Sequence, residues 1–96
     1  MIGKMNVSSG NKIFASCDRD LLNTKIITDD FEIYFSKSFY GDREVNLKEI
    51  INHINNCNSA NIFGNKICNL LLENKIILKE SIIYIEKIPH VQIYKF

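Results

Sequence analysis

The side chains able to do chemistry in this sequence are few and scattered. Histidines stand at His53 and His90, and cysteines at Cys17, Cys57 and Cys68. His53 and Cys57 lie four apart, one helical turn, and with Cys68 and His90 would make a tetrahedral zinc set. Their spacing matches no common zinc motif, and a free cysteine among isoleucines is a small buried hydrophobe. No metal or other cofactor is expected. Cys17 beside Asp18 would be a nucleophile only if a histidine base reached it, and nothing in the sequence brings His53 or His90 there. Cys17 is therefore expected to pack inward with Ile13 and Ala15.

Two other groupings suggest binding rather than catalysis. Gly64-Asn65-Lys66 opens an expected helix, whose first amides lack intrahelical partners and favour an anion. It lacks the spaced glycines and Lys-Ser/Thr pair of a Walker loop. Asn61, His90 and Gln92 form the second grouping. His90 and Gln92 share one strand face because successive side chains alternate, and a buried Asn61 amide must find a partner. Together Asn61, Gly64, Asn65, Lys66, His90 and Gln92 form a candidate ligand site. Asn61 and His90 are expected within roughly 8–10 Å, the reach of direct contact or one bridging water.

A third grouping is aromatic and basic. Tyr34, Tyr84 and Tyr94 fall on expected strands, and Arg43, Lys87 and Lys95, with Lys12 and Lys37, could ring one sheet face. Single-stranded RNA is held on such platforms, each stacked base contributing about 1–3 kcal/mol. No RNP-like motif accompanies them.

The elements that must position these residues are legible in part. Lys4 to Ser8 and Lys12 to Cys17 read as strands around a Ser9-Gly10-Asn11 turn, where Gly10 and Asn11 tolerate positive φ. Lys25 to Thr28 would pair with Phe31 to Ser36 across Asp29-Asp30, with Phe31, Ile33 and Phe35 facing the core. Asn46-Leu47-Lys48-Glu49 has the form of a capping box, with Val45 placed to staple onto Ile50. Leu47, Ile50, Ile51, Ile54 and Cys57 then share one helical face. A second helix is expected over about Asn65 to Glu73, carrying Ile67, Cys68, Leu71 and Leu72 inward, with Asn74 as a left-handed cap. Ile82 to Glu86, a turn at Lys87 to Pro89, and His90 to Tyr94 return to strand character. Strands, two helices, then strands predict an α+β fold with a largely antiparallel sheet and two central helices.

Length and composition set the bounds. Ninety-six residues allow a single domain, 1–96, and one modest core burying roughly 65% of the unfolded surface. Hydrophobic residues at 46% and charged residues at 24% argue against disorder. Seventeen Ile, twelve Asn and ten Lys point to an AT-rich coding bias, so a single Asn or Lys carries little functional weight. A net charge of +1 excludes a strongly cationic arm or an acidic tail. The longest apolar run, Ile82-Ile83-Tyr84-Ile85, falls far short of the ~20 residues of a membrane span. The first residues show no apolar leader, and three cysteines without C-x-x-C spacing suit a reducing cytoplasm.

Four segments, in order, carry a family likeness: Cys17-Asp18 with Leu21-Leu22, Phe39-Tyr40-Gly41, Ala60-Asn61-Ile62-Phe63-Gly64, and Ile88-Pro89-His90-Val91-Gln92-Ile93. They resemble the small archaeal family known as domain of unknown function 424, over nearly the whole chain. The resemblance implies a single α+β domain and a link to RNA or the translation machinery. The expected function is a cytoplasmic binding module for RNA or a ribonucleoprotein. The alternatives are a small-ligand or enzymatic site around Asn61, Gly64, His90 and Gln92, and a protein-interaction subunit such as a homodimer.

Overall fold

Strands β1 (Ile2–Ser8) and β2 (Asn11–Cys17) form an antiparallel hairpin. The computed structural model describes residues 1–95. Ser9 and Gly10 take positive φ in the turn between them, the backbone of a two-residue hairpin whose twist matches its strands. The turn is one residue shorter than the expected Ser9-Gly10-Asn11, because Asn11 already pairs with Ser8. A second hairpin, β3 (Lys25–Ile27) with β4 (Glu32–Tyr34), stays outside the main sheet. Phe35 beyond it is fully buried, but Phe31 is half exposed rather than inward. A four-residue helix, α1 (Lys37–Tyr40), follows; its cap Ser36 accepts from the Phe39 amide.

Helix α2 (Leu47–Asn56) begins with a complete capping box: Glu49 N–H donates to Asn46 Oδ1, and Asn46 N–H donates to the Glu49 carboxylate. The cap is worth about 1 kcal/mol, whereas each fully buried isoleucine contributes about 1.5–3 kcal/mol. The apolar stripe through Ile50 and Ile54 therefore holds the helix, and the cap sets where it starts.

The largest departure from the sequence reading comes next. Ser59–Phe63, to which the sequence pattern assigns no element, is a strand, β5, in the middle of the sheet. It runs parallel to β2 and antiparallel to β7 (Ile88–Tyr94), giving the order β1-β2-β5-β7-β6. Helix α3 (Asn65–Glu73) lies between β5 and the outer strand β6 (Ile83–Ile85) in the chain. Asn74 is not left-handed, with φ −93°; Lys75 takes that role, and Asn74 Nδ2 donates back to Leu70 O. The β6–β7 turn is Glu86-Lys87, both at positive φ, so Pro89 lies inside β7 opposite Tyr84. The fold is α+β with a mixed sheet in which three of the four pairings are antiparallel.

The sheet has a core on each face. One packs Phe14, Ala60, Ile62 and Val91 against Ile50, Ile54, Ile67, Cys68 and Leu71 of α2 and α3. The other packs Ile2, Ala15, Cys17 and Phe63 against Ile26, Phe35 and Tyr40 from the β3–β4 hairpin and α1. Among the described residues, no helix is long and apolar enough to cross a membrane.

Candidate functional site

The β5–β7 register decides which polar side chains meet. Asn61 pairs with Gln92 and Phe63 with His90. Directly opposite residues project to the same face, and diagonal pairs lie roughly 7–8 Å apart. Asn61, Gln92 and His90 thus form three corners of a square on the face that the β3–β4 hairpin covers, with Phe63 the fourth. All four line a cavity of about 460 Å³, within the range of ligand pockets. Phe31, Ile33, Tyr34, Phe39, Tyr40, Ile83 and Ile85 supply its aromatic and aliphatic walls. A smaller cavity of about 220 Å³, lined by Ser81, Ile83, His90 and Gln92, adjoins it.

Each of the three polar side chains is fixed at one end. Tyr40 Oη donates to Asn61 Oδ1 at 3.1 Å. Burial, with Cys17 alongside, pushes the Tyr40 hydroxyl above the ordinary tyrosine range, so it keeps its proton and remains a donor. Tyr94 Oη donates to Gln92 Oε1 at 2.8 Å. His90 Nδ1 lies 2.9 Å from Ile62 O; a carbonyl only accepts, so Nδ1 carries the proton. The imidazole stacks on Phe63 with ring centroids 3.8 Å apart. Burial lowers the His90 pKa, which favours the neutral ring.

The other end of each side chain is open. Among the described residues, no buried side-chain nitrogen or oxygen lacks a partner. Among the described residues, Asn61 Nδ2, Gln92 Nε2 and His90 Nε2 have no hydrogen-bond partner; the Asn61 and His90 nitrogens therefore reach solvent, and Gln92 is exposed as a whole. These three side chains offer two donors and one acceptor beside aromatic rings, and the Glu32 carboxylate, paired with Lys25 at 3.3 Å, also lines the cavity.

Gly64, Asn65 and Lys66 do not join it, a correction to the sequence expectation. The Asp18 carboxylate already occupies the start of α3, accepting from the Lys66 and Ile67 amides at 2.9 Å each. These are the donors an outside anion would need. Gly64 makes room for that carboxylate: a Cβ there would lie 2.6 Å from Asp18 Oδ2, and its φ is +128°.

The aromatic and basic grouping is split by the fold. Tyr34 lines the cavity, and Tyr94 adjoins it through Gln92. Tyr84 alternates with Ile83 and Ile85 and so projects from the opposite face. Arg43 lies beside β1, at the far edge of the sheet, and pairs with Glu49. Lys87 sits in the β6–β7 turn, Lys95 just beyond β7, Lys12 near the start of β2, and Lys37 on α1 paired with Asp42. They do not ring one face.

The sheet also separates the four residues of the zinc pattern. His53 stacks on Phe14, Cys57 Sγ donates to Ile54 O, and Cys68 packs in the same core, whereas His90 is on the other face. Cys17 is fully buried beside Ala15, and burial with the neighbouring Asp18 charge pushes its thiol up to about 12.

The sequence reading missed Tyr40, Phe63 and Asp18 as working parts. The alternation Ser59-Ala60-Asn61-Ile62-Phe63, read as a strand, would have placed Phe63 beside Asn61.

The comparisons with known proteins agree with this geometry at the level of the fold. The family model described as protein of unknown function DUF424 matches residues 6–96. The chain belongs to that family. A solved structure with a similar fold is the crystal structure of an uncharacterized conserved protein from Methanopyrus kandleri. It is 20% identical, with a TM-score of 0.80, over 97% of this chain and 89% of that one. No curated protein matches this DUF424 chain.

Proposed function

We propose that this DUF424 member is a small binding module that takes an unpaired base of single-stranded RNA into the cavity between the β3–β4 hairpin and the sheet. One observation carries the reading: three polar side chains on one sheet face, each fixed at one end and open at the other, beside exposed aromatic rings. Flat walls with a few convergent donors and acceptors suit a flat heterocycle with a polar edge. Phe31 and Tyr34, about half exposed at the rim, would stack it. Lys87 and Lys95 are exposed and could meet the backbone phosphates to either side. A net charge of +1 means few such contacts and a shallow salt dependence.

The test is fluorescence anisotropy with labelled, mixed-sequence single-stranded RNA at low salt. Binding is expected, with an affinity that falls gently as salt rises and is not competed by duplex. Tyr34→Ala should weaken it by about 5- to 150-fold, the equivalent of one lost stack. Absence of binding at low salt, or equal binding of duplex, would overturn the reading.

A further inference from the structure

Building on the RNA reading, we propose that the pocket prefers cytosine. The preference follows from the order in which the open ends stand on the sheet. Asn61 is directly opposite Gln92, and His90 is two residues from Gln92 along the same strand and face. From Asn61 through Gln92 to His90, the free ends are donor, donor, acceptor, because Tyr40, Tyr94 and the Ile62 carbonyl hold the other ends.

The complementary edge reads acceptor, acceptor, donor. Cytosine has it: O2, N3 and the N4 amino group in sequence along its pairing edge. Adenine offers only N1 and the N6 amino group, satisfying Gln92 and His90 but leaving Asn61 against a C–H. Uracil reads acceptor, donor, acceptor, which would need the histidine nitrogen between the two amides. Guanine, with one acceptor and two donors, would set a donor against a donor. The order depends on His90 staying unprotonated at Nε2, which its burial favours. It depends equally on the Tyr40 and Tyr94 hydroxyls donating to the amide oxygens, which leaves each NH2 group outward.

The experiment compares short labelled homopolymers of cytidine, uridine and adenosine, and a uridine host carrying single guanosines, with cytidine monophosphate as competitor. The cytidine polymer should bind tightest, with the uridine polymers about 5- to 150-fold weaker, the range of one mispaired edge, and adenosine between. Uridine or guanosine binding as tightly as cytidine would overturn the cytosine assignment while leaving the RNA reading intact. Absence of binding to every polymer would overturn both. Cytidine monophosphate competing as well as the polymer would keep the edge but make this a free-nucleotide site, overturning the RNA reading. Gln92→Glu turns the central donor into an acceptor on an exposed side chain that tolerates the change. It should abolish the preference for cytidine, and an unchanged preference would overturn the assignment.

Discussion

Two places in the molecule gather polar groups close to glycine or aromatic residues, and they differ in how many of those groups are already used. At the start of α3, the Asp18 carboxylate takes the Lys66 and Ile67 amides, and Gly64 fits against it. On the β5–β7 face, Asn61, His90 and Gln92 each spend one end internally and leave the other open. From sequence both looked like binding sites. The first is a closed arrangement that pins β2 to α3 across 48 residues; the second still has valences to give. Hydrogen-bond satisfaction, more than residue type, separates a structural polar cluster from a binding one.

The comparison breaks first at Gly64. Gly64→Ala places a methyl within 2.6 Å of a carboxylate oxygen and forces an L side chain to φ +128°. The loss should be at least about 3 kcal/mol, combining backbone strain with displaced hydrogen bonds. The check is a denaturant titration. A loss below about 1 kcal/mol would mean that Asp18 and α3 do not need this close approach.

Asp18→Ala should come next, at about 2–4 kcal/mol, since one buried and one part-buried charge-assisted bond go and the Ile67 amide is left inside the core. The substitution should lower stability without altering RNA affinity measured where the variant remains folded. A selective loss of binding would place the start of α3 back in the functional site.

These contrasts also show what the sequence could reveal. The α2 capping box and its stripe were readable because a helix start and a helical face are local patterns. The β1–β2 hairpin was readable for the same reason. β5 was not: Ser59–Phe63 is short and follows a helix, and it is a strand because β2 and β7 flank it. Missing it hid the register that puts Asn61 opposite Gln92. Asp18 as the partner of α3 was equally invisible, since no local rule links a residue after β2 to amides 48 positions on. Phe31 was expected inside on alternation alone, but β3–β4 stands apart from the main sheet, and only Ile26, Ile33 and Phe35 reach the core. Pro89 reads as a turn residue in the sequence, yet the positive φ values of Glu86 and Lys87 make the turn and leave Pro89 in the strand.

His90 gives a smaller effect, tied to pH. Its folded pKa lies below the ordinary 6.5, with burial the main cause. Above that ordinary value the ring is neutral in both states and contributes no pH dependence. As pH falls through 6.5, the unfolded chain takes up a proton that the folded ring resists. The unfolded state then binds more protons, and stability declines until the folded pKa is reached. His90→Phe keeps the stack on Phe63 and should flatten this part of the stability–pH curve between about 6.5 and the acid limb. An unchanged slope would show that the imidazole titrates as freely folded as unfolded.

The smallest stability effect is expected at Gln92, and it bears most directly on the difference between the two regions. Gln92 is exposed, and its one internal bond, from the Tyr94 hydroxyl, lies at the surface, where water replaces it at little cost. Gln92→Ala should therefore shift stability by no more than about 0.5 kcal/mol, as for most surface changes. RNA affinity should nevertheless fall by about 5- to 150-fold, because a donor facing a base edge is lost. Asp18→Ala should show the reverse pattern, a large stability loss with intrinsic affinity unchanged. Measuring both variants by both readouts separates a polar group that has spent its bonds on the fold from one that has kept a bond free. If Gln92→Ala left affinity intact, the open nitrogen would be ordinary solvated surface, and the distinction between the two regions would lose its functional meaning.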